Sequence, residues 1–129
     1  MALTHITTVR NALADLVVDL IDVGAGANGD LQIGTAAFAA ILATIEFQEP
    51  AFGAAVGGTA TMAGAPLEDS NATGGGSAVV FRCRDEDDAE VFQGTVGLTA
   101  SGEDMELSSV LINNGDAVRI NSFTYTASP

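Results

Sequence analysis

The sequence predicts a mainly β fold, a β-sandwich or jelly roll of about seven or eight short strands with one N-terminal amphipathic helix. The helical period is clear in one place, Ile6 to Val23. Beyond it, apolar residues alternate in short runs, as half-buried strands require. Gly-, Asn- and Asp-rich turns separate those runs at short spacing.

On a helical wheel, Ile6, Val9, Leu13, Leu16, Val17, Leu20 and Ile21 share an arc of about 140°. That arc is expected to lie on something apolar, across one sheet or in a subunit interface, and Asp15, Asp19 and Asp22 to face water. The aspartates are like-charge neighbours at helical spacing, each pair costing roughly 0.2–0.5 kcal/mol. Burial of the arc is expected to outweigh this, so the helix should form only when docked. Thr4 is a candidate N-cap, and Gly24 suits the turn that stops the helix. Arg10 falls near the edge of the arc, as a snorkelling side chain or as a partner for an acid on a neighbouring subunit. Val18, at the edge of the acidic side, is expected to be exposed. Ile6, Val9, Arg10, Leu13 and Val18 are therefore the interface candidates.

Gly24 to Gly29 spells G-x-G-x-x-G, but a dinucleotide site needs a strand before the glycines and a helix after them. Here the order is reversed, so the stretch reads as a flexible loop into a strand at Leu31–Ile33. In the next run Ile41, Ala43, Ile45 and Phe47 face one way and Leu42, Thr44, Glu46 and Gln48 the other. Glu49-Pro50 ends it, and Phe52 is expected to plug the sandwich edge. A short strand is expected at Thr59–Met62, and a loop from Gly64 to Gly76. Val79, Phe81 and Cys83 should point inward, with Val80, Arg82 and Arg84 on the other face. Asp85–Asp88 reads as a solvated turn into Glu90–Val96, with a weak cation site as the alternative. Leu107–Ile112 and Val118–Tyr125 complete the strands, joined by the turn Asn113–Asp116.

The 129 residues suit a single domain, with the helix at 6–23 and the sandwich at 31–129. Seventeen acids against four basic residues give a net charge of −13. Such a balance argues against nucleic-acid partners and against an anionic membrane surface. No membrane span or secretory leader is expected. Catalysis is not expected either: His5 is the one histidine, and Cys83 is an inward-facing apolar residue rather than a nucleophile. The expectation is a non-enzyme with no catalytic residues, no cofactor and no metal site.

Several stretches carry a resemblance: VRNALADLVVDLID, then LQIG, ILATIEFQEPAFG, SAVVFRCRDEDDAEVFQGTVG and a closing VRINSFTYT. In this order they resemble a family of small virion-associated proteins of tailed bacteriophages and prophages. The chain departs from that pattern between Ile33 and Ile41, where it is shorter and lacks prolines. The resemblance implies a capsid decoration, or cement, protein. It would be a homotrimer made in the host cytoplasm that binds the outer surface of the major capsid protein shell. The alternative role is a tail or fibre component that binds a host receptor.

Overall fold

The structure, a computed structural model, describes residues 3–26 and 28–127, so Ala27 of the Gly24–Gly29 loop lies outside it. It is mainly β with one N-terminal helix, α1, at Thr7–Asp19. A short 3-10 turn, Leu20–Asp22, extends the helix. The N-cap is Ile6, without a side-chain cap, and not Thr4. Gly24 takes a φ of 134° just beyond the helical segment, where an L side chain would be strained.

Five strands form the main sheet: β1 (Asp30–Gly34), β2 (Ile41–Glu46), β6 (Val80–Arg84), β7 (Glu90–Leu98) and β8 (Met105–Leu107), in the order β2-β1-β6-β7-β8. Three two-stranded ribbons complete the fold. They pair β3 (Thr59–Thr61) with β11 (Thr124–Thr126), β4 (Leu67–Asp69) with β10 (Val118–Ile120), and β5 (Gly76–Ser77) with β9 (Leu111–Ile112). The strands are thus shorter and more numerous than the sequence suggests. Leu107–Ile112 and Val118–Tyr125 each break into separate pieces, β4 arises inside the segment expected to be loop, and β5 begins at that segment's last residue, Gly76. These pieces are two or three residues long, too short to show a period of their own.

Register explains which face is apolar. Leu31 lies opposite both Ile45 and Cys83, and Ile33 opposite both Ala43 and Phe81. This inner face is buried, and Phe47 is buried beside it. Phe123, just before β11, meets Phe81 at 5.7 Å and Phe52 at 5.8 Å between ring centroids. Phe47 and Tyr125 extend the aromatic chain through Phe52 and Phe92, and such pairs add to plain area burial. Phe52 is buried, as its plug role requires. Val79 is exposed: it precedes β6 instead of belonging to it.

The outer face of the same strands is a polar ladder. Arg84 donates to both carboxylate oxygens of Asp30, at 2.8 and 2.7 Å. One step along, Arg82 donates twice to Gln32 Oε1 at 3.0 and 2.8 Å, and Gln32 Nε2 donates to Thr44 Oγ1 at 3.3 Å. The Arg82 guanidinium also lies 4.4 Å from the Phe38 ring centroid. Cross-strand partners of this kind add to the register that the apolar face sets.

Candidate functional site

The helix docks on the β body with a face turned away from most of the apolar arc, so of the two places expected for the arc the sheet is the one it does not occupy. Ala14, Val18 and Ile21 are buried, Val18 being only 1% exposed. The expectation that Val18 faces solvent is therefore corrected. Between the buried residues, polar side chains reach the loop that leads into β3. Asn11 Oδ1 accepts from the Gly58 amide at 2.7 Å, Asp15 Oδ1 from Ala55 at 2.8 Å, and Asp22 Oδ1 from Ala51 at 2.9 Å. Each of these amides lies in a buried residue. An unpaired buried amide is costly, so the carboxylates hold the helix in place instead of facing water. Asp19 alone of the helix aspartates is exposed. Desolvation, with Asp15 and Asp22 nearby, holds its carboxyl above the usual range.

Arg10 lies at the same contact. Its Nη2 donates to the Ala127 carbonyl at 3.2 Å, so it serves its own chain. Its Nε is buried without a partner. Gly58 lies directly against it: a Cβ there would come within 2.7 Å of Arg10 Cζ, and its φ of +84° also favours glycine.

The apolar arc is consequently turned outward. Ile6 is 71% exposed, Leu16 62%, Val23 52%, Leu20 45%, and Val9 and Leu13 39% each. Of the arc, only Ile21 is buried. The exposed fractions equal about three whole aliphatic side chains, worth on the order of 5–9 kcal/mol per chain once covered. A contiguous apolar strip of this kind marks a contact surface. Of the interface candidates, Ile6, Val9 and Leu13 lie on this strip, while Val18 and Arg10 belong to the intrachain contact. Sequence reasoning left Leu16, Leu20 and Val23 off the interface. Their signal is the spacing: positions 6, 9, 13, 16, 20 and 23 step alternately by three and four.

Other features carry less. In the acidic turn, Asp85 Oδ1 accepts from the amides of Asp87 and Ala89, Asp87 Oδ1 from Ala25, and Asp88 pairs with Arg84 at 3.2 Å. The turn is thus joined to the loop after the helix, and a Cβ on Gly26 would fall 2.2 Å from the Glu86 carbonyl oxygen. That approach, more than flexibility, explains a glycine there. Lost hydration and the carboxylates of Glu49, Asp22, Asp87 and Asp85 hold Glu86 above its usual range. Among the described residues, no three His, Cys, Asp or Glu side chains are grouped to hold a metal. Cys83 is fully buried, and burial, with Asp30 nearby, pushes its thiol pKa far upward. An open groove of about 850 Å³ lies between β7–β8 and the C-terminal strands, with Phe92, Asn121 and Tyr125 in its lining. No helix among the described residues is long and apolar enough to cross a membrane. Comparisons with protein-family models, curated proteins and solved structures found no match.

Proposed function

We propose that this chain is a structural virion protein of a tailed phage, a decoration protein that binds the outer surface of the capsid shell as a homotrimer. The observation that carries the reading is the apolar helix face. The chain folds its own polar side chains inward to hold α1 and leaves Ile6, Val9, Leu13, Leu16 and Leu20 outward. A fold that spends a helix this way suits assembly better than turnover. The net charge of −13 favours the outside of a shell over its DNA-filled interior. The resemblance to virion-associated proteins supplies the partner, the major capsid protein. In this role the chain acts by contact alone, with no reaction, cofactor or metal. Three linked copies of one weak contact raise avidity for a repeating lattice.

A tail or fibre component that binds a host receptor is the second reading. The groove between β7–β8 and the C-terminal strands favours it, since aromatic and amide side chains share its lining. The two separate on the virion. For a decoration protein, shells lacking it break at lower temperature or under milder osmotic shock, and adding it back restores them. Confinement to the tail tip, or binding to host cells by a protein that purified shells ignore, overturns decoration in favour of receptor binding.

A further inference from the structure

We infer that the groove between β7–β8 and the C-terminal strands binds a neutral oligosaccharide, stacked on Phe92 and Tyr125 and hydrogen-bonded by Gln93, Asn121 and Asp104. The inference deepens the receptor-binding reading, on which it rests, by naming the class of ligand. The groove follows from the topology. β8 is the last strand of the main sheet, while β10 and β11 pair away from it, with β4 and β3. About 850 Å³ is left between the sheet edge and these ribbons. Ligand clefts occupy the same range, about 300–1,000 Å³.

Aromatic residues gather here. The sequence holds six Phe and one Tyr, and four of these seven, Phe81, Phe92, Phe123 and Tyr125, line the groove. Phe81 is buried. The other three are only half-buried, although they pack on one another. Phe92 stacks on Phe123 at 6.4 Å and meets Tyr125 at 5.4 Å between ring centroids. Rings left partly open beside polar groups suit a ligand that is apolar on one face and polar at its rim. A pyranose is such a ligand: its C–H face stacks on an aromatic ring while its hydroxyls point outward.

The polar lining supplies that rim. Elsewhere the chain uses planar amides to tie itself together, as at Asn11, Asn28 and Gln32. Gln93 and Asn121 line the groove exposed, their amides bonded to no other group among the described residues. Each offers two donors and an acceptor, which is what neighbouring sugar hydroxyls require. Asp104 gives Oδ2 to the Thr95 amide and hydroxyl, at 3.1 and 3.3 Å. Its carboxylate is thereby fixed in place, with Oδ1 left to accept from a ligand. Charge narrows the class further. Three acids, Asp104, Glu106 and Asp116, line the groove, and its one basic residue, Arg119, is engaged by Glu68 at 3.2 Å. A sulfated, phosphorylated or sialylated glycan would be repelled. Glu106 gives both oxygens to the amides of Ala100 and Gly102, at 3.0 Å each, which weakens the pull on a cation. An uncharged ligand fits best.

Tyr125 provides the readout. It is the only tyrosine in a chain without tryptophan, so intrinsic fluorescence reports on this groove alone. The full chain is titrated with maltotriose, cellotriose, mannotriose, chitotriose and lactose, each to about 10 mM. At least one should change the fluorescence saturably, and the same sugar carrying a sulfate should not. Gln93→Ala and Asn121→Ala should each weaken binding about 3- to 10-fold, the loss of one hydrogen bond, with an unchanged circular dichroism spectrum. Asn114→Ala, an equivalent exchange in an exposed turn outside the groove, should bind as wild type. Silence towards all five sugars overturns the inference. So does a response that both alanine variants retain, or that the sulfated sugar or trilysine gives equally. Adsorption to host cells is read separately. A chain that ignores free sugars but binds cells, before and after periodate oxidation of their surface glycans, overturns the ligand class and leaves the receptor reading standing. A chain that binds sugar but not host cells keeps the groove's ligand and overturns the receptor reading.

Discussion

Replacing Val18 with aspartate should abolish folding, whereas replacing Leu16 with aspartate should leave the chain folded. The apolar arc read from the sequence predicts the reverse. Val18 is 1% exposed and packs between Ala14 and Ile21. Val18→Asp removes about 1.5–3 kcal/mol of apolar burial. It also places a carboxylate in an apolar site, an effective penalty of several kcal/mol more. The total is comparable with the roughly 5–15 kcal/mol that holds a domain of this size together. Leu16 is 62% exposed, so Leu16→Asp forfeits about a third of a full burial, roughly 0.5–1 kcal/mol. Lower helix propensity and a new like-charge neighbour at Asp19 add about as much again, for about 1–2 kcal/mol in all. Urea denaturation followed by circular dichroism, at concentrations where the wild type is monomeric, measures both. An unfolded Leu16→Asp beside a wild-type-like Val18→Asp would show that the arc, not the aspartate face, docks the helix.

Three further outcomes follow from the sheet and the acidic turn. Arg84→Ala should cost about 3 kcal/mol, the low end for breaking a buried pair, because Arg84 and Asp30 are still 16% and 13% exposed; a urea midpoint equal to wild type would contradict this. Cys83→Ser should cost about 1–3 kcal/mol for a hydroxyl in an apolar site, and native Cys83 should resist thiol reagents until the protein unfolds; rapid labelling would place it elsewhere. Glu86 has its folded pKa raised, so its ionised form opposes folding above that pKa and the penalty disappears as pH falls below the ordinary value of 4.5. Glu86→Gln should therefore raise the melting temperature at pH 7 and match wild type in acid; a lower melting temperature at pH 7 would refute the like-charge reading.

The contrast between sheet and helix shows what the sequence made legible. Strand facing was readable where alternation and burial report the same thing: Ala43, Ile45, Phe81 and Cys83 are where the period of two puts them, whereas Leu42, read onto the other face, is fully buried beside the register irregularity at Ile33/Gly34. The helix was readable as an element but not in its orientation. Amphipathicity says that a face will be covered, and not by which protein. The aspartates looked solvated because nothing local reveals that Ala51, Ala55 and Gly58 lack acceptors until the loop that carries them is in place. Their mutual repulsion was the available hint for Asp15 and Asp22, while Asp19 is exposed as the sequence reads. Ribbons such as β4–β10 escaped because long-range pairing, not local pattern, creates them.

The three amides that bond to the helix also make its attachment measurable one proton at a time. Ala51, Ala55 and Gly58 donate to side chains spread along the helical segment, and their neighbours Gly53 and Val56 donate to Thr61 and Thr59 within the body. Native-state hydrogen exchange can therefore separate two openings that fluorescence or circular dichroism would blend. If the helix lifts as a unit, the first three amides exchange with one common free energy while Gly53 and Val56 remain protected. Covering the outward face would slow that same set from the far side of the helix, so a contact made by leucines is reported by protons that never touch it.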